Sequence, residues 1–102
     1  MKREDIERIG RMHYQATLDH KLIMPPSYDF PDINYEDAYA IASVMVEEYV
    51  KNGRHPSGKK VGLTSNAMRK LAGIEEPDYG IIFQEDCYEN ESVIPFDEVY
   101  CQ

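Results

Sequence analysis

Two breaks in the sequence, Met24-Pro25-Pro26 and Asn52-Gly53, constrain this chain more than any other feature. Proline disfavours helix in the residue before it and has no N–H to donate, so no helix runs through Pro25. Asn-Gly just beyond an apolar-periodic run is a helix stop. Up to the second break the apolar repeat is helical, and beyond it the apolar pieces are short. The expected architecture is α+β, with two long helices, one short helix and a few short strands.

The first helix is expected over about Glu4 to Leu22. Ile6, Ile9, His13, Ala16 and His20 fall at spacings of three and four, the repeat of one helical face. Acids in its first turn and Lys21 near its end suit the helix dipole. His13 and His20 share the stripe as packed or rim residues, since a spacing of seven does not chelate on one helix. Residues 24–34 form a loop pinned by Tyr28 and Phe30. In the second helix Asn34 is the N-cap, with Asp37 in a capping-box variant. Its expected stripe is Ala38, Ile41, Ala42, Met45, Tyr49 and Val50, while Glu36, Glu47, Glu48 and Lys51 face water. Arg54 to Gly58 reads as a turn and Lys60 to Leu63 as a strand. Thr64 or Ser65 caps a short helix closed by Gly73. Tyr79 to Phe83 is a second strand, Gln84 to Ser92 an acidic loop and Val93 to Phe96 a third extended piece.

A chain of 102 residues is one domain at most, and it buries roughly 60–65% of its unfolded surface. It divides into a helical part (1–53), a strand, short-helix and strand segment (58–83) and an acidic tail (84–102). No apolar run spans a bilayer, and the polar N-terminus lacks the core of a secretion signal. A cytoplasmic protein without membrane association is expected, with Cys87 and Cys101 as reduced thiols. Residues 1–70 hold all 11 basic residues, while residues 71–102 hold 9 acids and no base. That balance disfavours nucleic-acid binding. It fits a solvated acidic face, or else a cation site or a surface for a basic partner.

The chemistry-bearing stretch runs from Gly58 to Gly80. Lys60 alternates faces with Val61 in the first strand, so one of the two points inward. A lysine there, beside carboxylates, serves as a charge clamp or proton donor; the plainer reading is a snorkelling surface lysine. Gly62 marks a close approach of backbone or ligand. Thr64 and Ser65, just before a helix, offer hydroxyls and free N–H groups to an anion, or they simply cap it. Asp78 follows proline and precedes a strand, where it orients water or shuttles a proton, or makes a local turn bond. Together the set looks like half of an active site for an anionic substrate.

In order and at this separation, Gly58-Lys59-Lys60-Val61-Gly62-Leu63-Thr64-Ser65-Asn66-Ala67-Met68 and Glu76-Pro77-Asp78-Tyr79-Gly80-Ile81-Ile82-Phe83 carry a resemblance. With Asp37-Ala38-Tyr39-Ala40-Ile41 and Leu22-Ile23-Met24-Pro25-Pro26, they resemble the bacterial 2-oxo-hepta-3-ene-1,7-dioate and 2-hydroxypentadienoate hydratases. These stand beside 4-oxalocrotonate decarboxylase among the fumarylacetoacetase-like enzymes. The resemblance implies the N-terminal part of that fold, and a lyase dependent on Mg²⁺ or Mn²⁺. Its substrate class is short 2-oxo or 2-hydroxy acids from aromatic ring cleavage. It implies that Lys60 contacts the substrate carboxylate or enol, that Asp78 positions water or a proton, and that Thr64, Ser65 and Tyr79 bind substrate. The family's metal-binding glutamates belong to a Glu-x-Glu motif downstream of Pro95-Phe96-Asp97-Glu98. The expectation is therefore a chain without metal ligands or most of the β-rich core, which binds no cation tightly and is inactive alone. Two other readings stay open. One is a non-enzymatic module that docks on a partner supplying the missing core. The other is a fragment of a 4-oxalocrotonate decarboxylase. Under any of these readings the chain is expected to form homo-oligomers through exposed apolar surface.

Overall fold

The structure, a computed structural model, describes residues 1–99. The chain falls into two compact units, 1–53 with 90–99, and 54–89.

In the first unit, α1 spans Arg3–Leu18 and α2 spans Tyr35–Lys51, joined through a 3₁₀ turn at Pro26–Tyr28. The capping box at α2 is as expected: the Asn34 side chain accepts from Asp37 N–H at 2.8 Å, and the Asp37 carboxylate accepts from Asn34 N–H at 3.3 Å. Helix α1 ends earlier than proline alone dictates. His20 takes a left-handed φ of 53°, His20 N–H donates to Thr17 O and Lys21 N–H to Ala16 O. This closure satisfies the last carbonyls locally, so the helix stops at Leu18 and not at Leu22. His20 accordingly leaves the stripe and is exposed, while His13 stays half-buried.

The core is Ile6, Ile9, Ile41 and Val44, with Met1, Phe30, Ile33 and Ala40 packed against it. Tyr14 and Tyr49 meet edge to face with centroids 4.8 Å apart, the arrangement the ring quadrupoles favour. Gly10 is buried between the helices, where a methyl would lie 2.6 Å from Val44 Cβ. The buried stripe of α2 is thus centred on Ile41 and Val44, and Ala38, Ala42 and Val50 are exposed. Glu48 also departs from expectation: it is largely covered and pairs with Arg11 at 3.5 Å and Lys51 at 3.8 Å. The contact face rotates because the closest approach of the helices is set by Gly10 against Val44. In the connecting loop Phe30 packs on the core, whereas Tyr28 is 69% exposed and pins nothing.

In the second unit, β1 (Pro56–Gly62) and β2 (Asp78–Phe83) form a two-stranded antiparallel ribbon bridged by α3 (Asn66–Ala72). Strand β1 starts at Pro56, within the expected turn. Proline is tolerated as the first residue of a strand, and Pro56 pairs with Phe83 across a bulge. Ser65 caps α3 by accepting from Met68 N–H at 3.2 Å. Gly73, at φ 72°, closes it, with Ile74 N–H donating to Arg69 O at 2.9 Å. Residues 92–95 join no strand among the described residues, and a 3₁₀ turn follows at Phe96–Glu98. Cys87 is an exposed free thiol; Cys101 lies outside the described residues. No helix among the described residues is long and apolar enough to cross a membrane.

Candidate functional site

The β1–β2 register decides which residues meet. Lys60 stands opposite Gly80, Gly62 opposite Asp78 and Val61 opposite Tyr79. Because side chains alternate along a strand, Lys60, Gly62, Asp78 and Gly80 share one face of the ribbon. Two charged residues occupy one diagonal and two glycines the other. The glycines leave room for the charged side chains to lie across bare backbone. A methyl on Gly80 would lie 3.8 Å from Lys60 Cδ, and one on Gly62 would lie 2.5 Å from Asp78 Oδ1 and 2.9 Å from Lys60 Nζ. The ammonium and the carboxylate therefore converge on one point above Gly62. The close approach expected at Gly62 is made by these two side chains.

The remaining sequence candidates divide. Tyr79 lies on the opposite face, where Lys59 Nζ sits 5.2 Å from its ring centroid, so the ribbon separates it from Lys60 and Asp78. Thr64 is exposed in the turn after β1, and Ser65 commits its hydroxyl oxygen to capping α3. Neither Lys60 nor Val61 points into a core: both are exposed, since a two-stranded ribbon offers too little apolar surface to cover either.

Among the described residues, no group of three or more His, Cys, Asp or Glu side chains is gathered to hold a metal ion. Asp78 also has the Lys60 ammonium beside it, and a hard cation needs several converging oxygens. The Lys60–Asp78 face does not by itself fit a metal.

Two constellations escaped sequence reasoning. One closes the far end of the ribbon. Glu85 accepts from the His55 backbone N–H at 3.0 and 3.1 Å and lies 2.7 Å from His55 Nδ1, while Arg54 Nη2 pairs with Asp86 Oδ1 at 2.6 Å and its guanidinium lies over Phe83. The His55 side-chain hydrogen bond, and then its backbone N–H, hold the Glu85 carboxyl down from 4.5 to about 2. The partners are 30 residues apart, and no local pattern announces them. The other is Arg69, whose Nη1 donates to Leu63 O at 2.8 Å and whose Nη2 donates to Asn66 Oδ1. A non-glycine residue at positive φ cannot be foreseen from Leu63. In the helical unit, burial lowers the pKa of His13.

No family model matches the sequence. Individual relatives do. A 2-keto-4-pentenoate hydratase of Paraburkholderia xenovorans (strain LB400) is 37% identical over 89 residues, covering 87% of this chain and 33% of the relative. A 2-oxo-hept-4-ene-1,7-dioate hydratase of Escherichia coli is 40% identical over 83 residues, covering 81% and 31%. Over the segment it spans, the chain belongs to the 2-keto-4-pentenoate hydratase family. The fold agrees: 4-oxalocrotonate decarboxylase from Pseudomonas putida G7, complexed with magnesium and adipate, superposes with a TM-score of 0.79 at 28% identity, covering 83% of this chain and 32% of that one. The α+β architecture is thus that of this fumarylacetoacetase-like group. This family member spans about a third of the length of the curated relatives it matches.

Proposed function

We propose that the chain carries one part of a hydro-lyase site for a short 2-oxo or 2-hydroxy-dienoate, centred on Lys60 and Asp78. The observation that carries this reading is the convergence of Lys60 Nζ and Asp78 Oδ1 above Gly62. An exposed ammonium binds and orients a substrate carboxylate or enol oxygen as a point charge. Once the enol is ketonised, a carboxylate beside the ammonium accepts a proton from water as the water oxygen bonds to one carbon of the conjugated double bond; that π bond breaks, and the ammonium is placed to give a proton to the other carbon. Thr64 and Ser65 lie on the turn that leads out of this face and add hydroxyl donors. Tyr79, on the reverse face of the ribbon beside Lys59, is left out of this site. In this reading a divalent cation, Mg²⁺ or Mn²⁺, is held by carboxylates other than Asp78, and the 102-residue chain does not turn over substrate alone. The hydratase assignment over a decarboxylase follows the curated relatives, which are hydratases. The reading places the protein in the cytoplasm, as a self-associating enzyme.

The test is a titration of the isotopically labelled chain with 2-hydroxypenta-2,4-dienoate. Shifts are expected at Lys60, Gly62 and Asp78, lost in Lys60→Met, with no consumption of the dienoate when Mg²⁺ is added. Shifts that map elsewhere, or that survive Lys60→Met, overturn the site; turnover by the chain overturns its silence.

A second reading, a module that docks on a protein partner, is favoured by one observation. Leu22, Val93 and Phe96 of the first unit are 75–91% exposed, and a docking module would cover such apolar side chains against its partner. A monodisperse monomer by light scattering that binds no hydrophobic dye counts against it.

A further inference from the structure

Leu63 stands between Gly62, over which Lys60 and Asp78 converge, and the Thr64–Ser65 hydroxyls. Its φ is 54°. In this left-handed region the Cβ crowds the following carbonyl oxygen. Leucine has no polar group with which to compensate by a local hydrogen bond. Such a conformation persists only where the surroundings over-determine it.

One side chain grips the strained residue directly. Arg69 reaches back from α3 and donates through Nη1 to Leu63 O at 2.8 Å, a half-buried contact. Its Nη2 donates to Asn66 Oδ1, and its backbone N–H donates to Ser65 O at 3.1 Å. One residue therefore binds three of the four positions that follow Gly62. A guanidinium suits this task because its planar fork holds two acceptors at once, whereas an ammonium is a single mobile point charge. The carbonyl it grips belongs to the strained residue, so the bond acts directly on the orientation of the peptide between Leu63 and Thr64.

We propose that Arg69 is the positioning residue of this turn: it holds Leu63 in the left-handed conformation and so fixes the Thr64 and Ser65 hydroxyls against the Lys60–Asp78 face. Its relevance to catalysis rests on the Lys60–Asp78 reading, but the geometry does not. Arg69 touches no reacting group; it acts through the turn.

The experiment needs no ligand, so its failure is separable from failure of the site. The full chain is labelled, and Arg69→Ala, Leu63→Gly and the double variant are compared. The readouts are the three-bond amide–α coupling of residue 63, the amide shifts of Gly62, Thr64 and Ser65, and the melting midpoint. In Arg69→Ala, residue 63 is expected to leave the positive-φ region, Thr64 and Ser65 to shift, and the midpoint to fall by about 4–8 °C. In the Leu63→Gly background the same change is expected to cost clearly less, because glycine takes positive φ without steric penalty. Should Arg69→Ala fail to fold, Arg69→Lys carries the test, with partial displacement at Thr64 and Ser65. Unmoved Leu63, Thr64 and Ser65 signals overturn the proposal, as does an equal midpoint loss in both backgrounds, which means that the two residues share no strain.

Discussion

Gly10→Ala is the sharpest test of how the helices meet. On helix propensity alone the change should stabilise α1 by about 1 kcal/mol. The structure reverses that sign. A methyl on Gly10 would lie 2.6 Å from both Val44 Cβ and Cγ1 and 3.1 Å from Ile41 O. Val44 is 3% exposed and belongs to the central cluster. Turning its χ1 moves Cγ1 but leaves Cβ where it is, and a helical valine has one strongly preferred rotamer. The collision is relieved only by separating α1 from α2, which loosens Ile6, Ile9, Ile41 and Val44 together. Overpacking of this kind costs about 3 kcal/mol at the upper end of its common range. Set against the propensity gain, the net loss is about 2 kcal/mol, or about 8–16 °C in melting temperature for a unit of this size. The assay is thermal and urea unfolding followed at a helical wavelength. Gly58→Ala is the comparison, because a methyl there meets nothing within 4 Å. A Gly10→Ala protein as stable as the parent, or more so, refutes the close approach through Gly10.

Two further outcomes follow from the hydrogen-bonding. Asn34→Ala removes the acceptor for Asp37 N–H and is expected to destabilise the helical unit by about 1 kcal/mol, measured by urea unfolding; a loss near zero refutes the capping box. Glu85 has a folded-state value below its unfolded one, about 2 against 4.5. Its stabilising contribution is therefore complete above the unfolded value and is lost as pH falls from about 4.5 towards 2. A carboxyl-carbon titration should place its midpoint near 2, and Glu85→Gln should flatten the acid limb of the stability curve over that window; a midpoint in the ordinary carboxylate range refutes the His55 contact.

Legibility in the sequence followed the range of the interaction. The Asn34 cap, the Ser65 cap and the Gly73 stop were readable because each involves residues three or four positions apart. The end of α1 was missed for a related reason. Pro25 is a conspicuous breaker, but the left-handed turn at His20 satisfies the carbonyls first, and histidine does not advertise that conformation. The start of β1 was misplaced because Pro56 gains strand character only from Phe83, its partner across the ribbon. The two-residue spacing of Lys60 and Gly62 put both on one face. That Asp78 and not Tyr79 joins them depended on register.

By itself, the sequence determined where helices begin, where chain breaks fall, and which family signatures occur in which order, because those depend on near neighbours and on residue identity. Only the tertiary structure decided which face of α2 is buried, that Gly10 admits the second helix, and that a lysine and an aspartate 18 positions apart converge above Gly62. Those outcomes turn on register and on closest approach between elements. A shift of one residue in either would exchange Asp78 for Tyr79.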